Sequence, residues 1–219
     1  PNFNRDLLDG KVKWANPTIS ETLKAWQSLV QAGYYHEGSM SFSYTQASEE
    51  FLNGAAAMML DGSWLAVQED AKGNENLGSF IMPSPGGINT YCTDIQYWGV
   101  SNTSENKEAA FRFVDYVLGG NPEIYAYYLQ ADGYGSTTKE PVEYERGPII
   151  TEFIANYDGM TLVPEIVKVK GDDALPAGTQ DFIDKSTQSM FAGADVDAEL
   201  EKWDAELARM LEAQEANAE

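Results

Sequence analysis

The stretch Phe51-Leu-Asn-Gly-Ala-Ala-Ala-Met-Met-Leu-Asp-Gly-Ser-Trp64 constrains this chain more than any other. Phe51 and Leu52 close an amphipathic segment, and Gly54 suits the left-handed position that ends many helices. Ala55 to Leu60 is an unbroken small-to-apolar run, which predicts a strand covered on both faces. Asp61-Gly62 is a strong turn signal. Trp64 then stands just past a buried strand, the position at which open α/β sheets build crevices. The competing reading makes Trp64 ordinary core, because tryptophan is well buried whatever its role.

Charge and composition remove several classes of chemistry. With 14 basic and 35 acidic residues the net charge is −21, a surface that repels phosphate backbones and excludes nucleic acid as a partner. One cysteine, Cys92, rules out a disulfide within the chain without placing the protein in the cytosol. With one histidine, His36, a Cys/His metal cluster is excluded, and a histidine-based triad would need His36 itself. His36 lies in Tyr34-Tyr-His-Glu-Gly38 and reads as a loop residue, and Cys92 reads as a small buried hydrophobe. At 219 residues, 43% hydrophobic and 12% aromatic, the chain can build one large domain or two small ones. No apolar run approaches the roughly 18 residues needed to span a membrane, and no signal-peptide pattern is visible. The opening Pro1-Asn-Phe-Asn4 lacks an initiating methionine, as expected of a processed protein or a fragment of a longer one.

Periodicity sketches the elements. Residues 1–16 read as a loop or hairpin turning at Asp9-Gly10. Asn16-Pro17 starts a helix as cap and first residue, with Thr18 to Glu21 as an alternative capping box. Ile19, Leu23, Trp26 and Val30 form its stripe, with Trp26 expected in the core, and Gly33 ends it. A second helix is expected over about 45–53, and a helical turn over 65–71. Leu77 to Met82 and Tyr91 to Ser101 read as strands, the second placing Asp94, Gln96 and Trp98 on one face. Ser104 is expected to cap a helix with stripe Ala110, Phe113, Val114, Val117 and Leu118. Asn121-Pro122 restarts at once, with Tyr125, Tyr128 and Leu129 on one face, and Gly147-Pro148 opens a further helix. Residues 159–178 read as a long irregular connection. A helix follows over about 179–191. Asp195 caps the last one, with stripe Val196, Leu200, Trp203, Leu207, Met210 and Leu211, and residues 212–219 are expected to fray. Strands interleaved with helices point to an α/β class.

The motifs of nucleophile elbows, phosphate loops, dinucleotide folds and zinc proteases are all missing. Asp61 and Asp94 could form a glycosidase-like pair, but nothing in the sequence fixes the separation that such chemistry requires. Asp172, Asp173 and Asp181 lack the spacing of a calcium loop and read as a solvated acidic turn. Tryptophan and tyrosine near turns rich in Asp, Asn, Gln and Ser remain. Flat aromatic faces suit the C–H faces of sugar rings, and carboxylates and amides bond hydroxyls, so the composition favours binding over catalysis.

Phe51-x-x-Gly54-x-Ala-Ala-Met58 followed by Asp61-Gly-Ser-Trp64 resembles the most recognisable segment of the sugar-type extracellular solute-binding proteins, the maltose-binding-protein-like receptors of ABC importers. The resemblance runs on in order through the helix Leu23 to Gly33, the strand ending Met82-Pro83, and Gly99-Val-Ser101 with the helix Asn106 to Val114. It reaches the terminal helix Val196 to Leu211.

It implies an α/β fold of the type II periplasmic-binding-protein kind, mainly the C-terminal lobe with a few helices of the N-terminal lobe. Residues 1–98 and 131–219 would be the two parts of the C-terminal lobe, and 99–130 a helical segment of the N-terminal lobe. A signal peptide, any lipid-anchoring cysteine and the opening sheet of the first lobe would precede Pro1. Trp64 matches the family's sugar-stacking aromatic, Asp94 to Trp98 the crossing strand that often touches ligand, and Tyr134 the return crossing at the cleft. Where the family often has an aromatic contact near the start of the next-to-last helix, this chain has Gln180 and Asp181, with Phe182 next.

The expected ligand-binding set is therefore Asp61, Trp64, Asp94, Gln96, Trp98, Tyr134 and Gln180, with no cofactor, no metal and no catalytic residue. The implied partners are a carbohydrate of oligosaccharide size and ABC permease subunits. The implied setting is the periplasm or the outer face of the cell membrane, reached through a lipid anchor outside this chain, with a monomer at full length. The alternatives are a glycoside-active enzyme using an Asp/Glu pair and a plain interaction domain whose aromatics are core.

Overall fold

The computed structural model describes residues 2–82, 90–93, 97–140, 142–157 and 159–218. In chain order the helices are α1 (Phe3–Leu8), α2 (Pro17–Gln31), α3 (Tyr44–Leu52) and α4 (Ser63–Lys72), followed by strand β1 (Thr90–Thr93). Then come α5 (Lys107–Asp115), a π-helical turn (Tyr116–Gly120), α6 (Pro122–Asp132), α7 (Pro148–Tyr157) and strand β2 (Thr161–Pro164). Two 3-10 turns, Ile166–Lys168 and Gly171–Asp173, lead into α8 (Thr179–Phe191) and α9 (Val196–Ala218). β1 and β2 form a two-stranded sheet. Two compact units result: Pro1–Met59 with Pro164–Glu219, and Leu60–Val163.

The first unit is built on α9. Asp195 caps that helix, accepting from the Ala198 N–H at 2.8 Å. Its stripe then buries Val196, Leu200, Trp203 and Leu207 with Leu7, Trp14 and Met190. The rings of Trp14 and Trp203 meet edge to face at 5.5 Å. The loop after α1 is tied to α9 by the Asp204 carboxylate, which accepts from the Trp14 and Ala15 backbone N–H groups at 2.7 and 3.2 Å. Among the buried side chains, the Trp203 Nε1–H donates to Ser186 Oγ at 2.6 Å, and Ser186 donates to Glu199 Oε2 at 2.5 Å. Lys202 closes the other carboxylate oxygen at 2.5 Å. The Lys202 bond, then the Ser186 bond, outweigh burial and hold the Glu199 carboxyl below the ordinary glutamate range. α2 begins as Asn16-Pro17 requires, with the Asn16 side chain accepting from the Ile19 N–H, and Gln27 donates to the Met190 and Ala194 carbonyls at the end of α8.

The second unit centres on α4, α6 and α7, with Leu65, Val117, Tyr125, Leu129, Ile149 and Ile150 buried. Gly133 closes α6 at φ +67°, and a Cβ there would stand 2.2 Å from Val67 Cγ2 and 2.9 Å from the Ser63 carbonyl oxygen. Glycine therefore lets α6 end against the first turns of α4.

Several sequence expectations are corrected. Residues 3–8 form α1 rather than half of a hairpin, because Asn2 caps them and its side chain accepts from the Arg5 N–H. Ala55 to Leu60 is not a strand and not buried: Met58 and Leu60 are 71% and 72% exposed, and no strand among the described residues pairs with the run. A strand needs a ladder neighbour, which an apolar run alone does not supply. Residues 77–82 are likewise no strand. Helix α7 holds them instead, with Glu152 accepting from the Ser79 N–H at 2.8 Å and Asn156 donating to the Ser79 carbonyl at 2.8 Å.

Of the strand expected over 91–101, the described residues show strand at Thr90–Thr93 and none over 97–101, and residues 94–96 lie outside the described residues. α5 starts at Lys107 after Asn106, since Ser104 spends its oxygen on the Asn106 N–H in a local turn. Phe113 of its expected stripe is 58% exposed, as is Phe111 at 60%. Trp26 is half-buried, edge-on to Phe191 at 4.6 Å, and Cys92 is exposed. The 159–178 connection contains β2 and both 3-10 turns, and α9 continues through Ala218 where fraying is expected from Glu212. Asp173, expected in a solvated acidic turn, pairs with Arg5 at 2.6 Å.

Candidate functional site

Two groups of site residues come together in the second unit. The first is the turn into α4. Asp61 Oδ1 accepts from the Gly62 N–H at 2.8 Å, fixing the turn, and the helix begins at Ser63. Trp64 thus sits in the first turn of a helix rather than in the turn before it. Its ring folds back over Gly62, where a Cβ would stand 2.4 Å from two ring carbons. At 43% exposure the indole is not core, which removes the simplest alternative for it.

The second group is an aromatic cluster. The Trp98 ring stacks on Phe113, with centroids 5.9 Å apart and planes at 27°, and meets Tyr128 edge-on at 5.6 Å. Trp98 Nε1–H donates to the Tyr128 hydroxyl at 3.3 Å. Tyr128 contacts Tyr134 at 5.7 Å and Tyr125 at 6.4 Å. Tyr134 directly follows Gly133, which packs so closely on the Ser63 carbonyl that it has no room for a side chain, so the corner carrying Tyr134 adjoins the turn carrying Trp64. The Tyr144 hydroxyl donates to the Tyr134 carbonyl at 3.0 Å, and the Arg146 guanidinium lies over the Tyr144 ring at 4.6 Å.

Asp61, Trp64, Trp98 and Tyr134 therefore belong to one unit and, with Tyr128 as the bridge, form two adjoining groups. Asp94 and Gln96 lie outside the described residues. Gln180 is exposed in the first turn of α8 and belongs to the other unit. Tyr128 is the residue that sequence reasoning assigned to a packing stripe alone; its position one turn before Gly133 was the available signal. The cluster offers flat apolar faces edged by phenol hydroxyls, which suits ring stacking with hydrogen bonds at the rim. Among the described residues no group of three or more His, Cys, Asp or Glu could hold a metal ion, and no helix is long and apolar enough to cross a membrane.

This aromatic cluster sits in a helix-rich fold. The family model for bacterial extracellular solute-binding proteins matches residues 2–152, and the chain belongs to that family. No curated protein matches the sequence. Among solved structures, a chitin oligosaccharide binding protein aligns with TM-score 0.74 at 22% identity, over 96% of this chain and 53% of that one. A sugar transporter from Bacillus licheniformis, solved with stachyose, aligns with TM-score 0.72 at 16% identity, over 94% of this chain and 52% of that one. The binding protein MsmE from Bacillus subtilis, in an open conformation, aligns with TM-score 0.70 at 17% identity, over 97% and 52%. The fold is thus that of the type II periplasmic-binding proteins, helix-rich and with few strands among the described residues. The chain spans about half the length of these structures.

Proposed function

We propose that the protein captures a carbohydrate, of oligosaccharide size, outside the cytoplasm and delivers it to the permease of an ABC importer. The observation that carries this reading is the solvent-reaching aromatic pair, Trp64 and Trp98, set on adjoining corners of one unit with tyrosine hydroxyls around them. Indole faces stack on the apolar faces of pyranose rings, and rim donors select hydroxyl patterns. The family membership and the sugar ligands in the names of similar structures support the same ligand class.

The mechanism is binding without turnover. Sugar stacks on Trp64 and Trp98; Tyr134, Asp61, Asp94 and Gln96 supply rim contacts; and lobe closure in a monomeric full-length receptor turns occupancy into a shape that the permease reads. In this reading residues 1–98 and 131–219 belong to one lobe and 99–130 to the other. The compact units divide the chain elsewhere, at Leu60 and Val163. Anchoring is through a lipid outside these residues, and no cofactor is needed.

Isothermal calorimetry of the full-length protein against a panel of chito-, malto- and raffinose-type oligosaccharides tests the reading. Binding by the wild type, weakened about tenfold or more in Trp64→Ala, is expected from the loss of one stacking face. Equal affinity in both proteins would remove Trp64 from the site. Hydrolysis of the bound sugar would replace the receptor by an enzyme.

A further inference from the structure

Arg146 combines a buried donor with a long ion pair. Its Nε–H is buried and has no acceptor among the described residues. Its ion pair, to Glu143, is stretched to 3.5 Å, and the Glu143 side chain is 81% exposed. Compare Lys72 and Arg112, each held by a glutamate at 2.7 Å. A buried donor without an acceptor costs free energy that a folded chain normally avoids, so such a group calls for a role. Arg146 is also held in place: its guanidinium lies over the Tyr144 ring at 4.6 Å, and Tyr144 is fastened by its hydroxyl to the Tyr134 carbonyl. The aromatic cluster continues from Tyr134 through Tyr128 to Trp98. The guanidinium, on a side chain 29% exposed, is thus held through Tyr144 beside the corner that carries Tyr134.

We infer that Arg146 is a specificity-determining ligand contact, donating to neighbouring hydroxyl oxygens of a neutral saccharide stacked on the Trp98–Tyr128–Tyr134 wall. This rests on the carbohydrate reading given above. A neutral ligand is favoured because the chain's net charge of −21 opposes the approach of an anionic sugar. The planar fork of arginine suits two adjacent oxygens, which a lysine ammonium cannot span in the same way.

The test is calorimetry and thermal unfolding on the full-length protein in four forms: wild type, R146M, R146K and W98A. The probes are neutral chito-, malto- and raffinose-type oligosaccharides and, for the anionic case, trigalacturonate. Affinity for the neutral sugar that the wild type prefers is expected to fall about 10- to 100-fold in R146M and by less in R146K. The R146M melting temperature should stay level or rise, because truncation removes an orphaned buried donor; a purely structural arginine would lower it. Unchanged affinity in R146M with affinity lost in W98A would overturn the inference and leave the carbohydrate reading standing. Tighter binding of trigalacturonate than of every neutral sugar would overturn the choice of hydroxyls. No sugar binding by the wild type would overturn both readings.

Discussion

At the scale of single residues, Gly133 and Trp64 make opposite demands. Gly133 is required by its backbone and by its neighbours at once: its φ is positive, and a Cβ there would meet Val67 Cγ2 at 2.2 Å and the Ser63 carbonyl at 2.9 Å. Gly133→Ala should therefore destabilise by more than about 2 kcal/mol, read as a lower denaturation midpoint at constant slope. Because the clash falls on the start of α4, it should also disturb the Trp64 turn, and sugar affinity should fall with stability. Trp64→Ala should separate the two properties, losing affinity with little change in melting temperature, since the ring is 43% exposed. The aromatic cluster was partly legible. Trp64, Trp98 and Tyr134 were singled out by their place beside turns and by the family resemblance, and all three fall in one unit. Tyr128 was not, since a tyrosine at helical spacing looks the same whether its ring packs or joins a wall.

Elements whose signals are local were read well, and elements that depend on distant partners were not. The Asn16-Pro17, Asn121-Pro122 and Asp195 starts all form as their capping chemistry dictates. The strand expectations at 55–60 and 77–82 failed because an apolar run records that a segment can be covered, not what pairs with it. The α8–α9 pair carries a test of its own. Ser186→Ala would leave both the Trp203 indole N–H and one Glu199 oxygen without their buried partner, at a cost of about 1–3 kcal/mol. Denaturant unfolding followed by tryptophan fluorescence measures it. The pH dependence follows from Glu199. Its folded-state pKa lies below the unfolded value, so its stabilisation is complete above the ordinary glutamate range and lost as pH falls through the lowered value. Glu199→Gln should be less stable at neutral pH yet show a shallower loss on acidification.

For the whole molecule, each unit joins a buried core to exposed apolar side chains. The first buries Met190 and Leu200 fully yet leaves Tyr34 and Met58 exposed, and in the second Leu129 is buried while Phe111, Phe113 and Tyr116 are each more than half exposed. Hydrogen exchange should reflect this: amides of α9 between Leu200 and Leu207 slowest, and those of α5 faster by orders of magnitude. Comparable protection in α5 would mean that its face is covered in solution.

The first unit is also discontinuous, made from two segments with Leu60–Val163 between them. On the ribosome, α2 emerges with its apolar stripe while the helices that cover it, α8 and α9, have yet to be synthesised. At about 5–20 residues per second, the intervening hundred or so residues take roughly 5–20 s to make. The inserted unit can therefore fold first, and Ile19, Leu23 and Trp26 stay open to chaperones, or to mispairing, until α9 arrives.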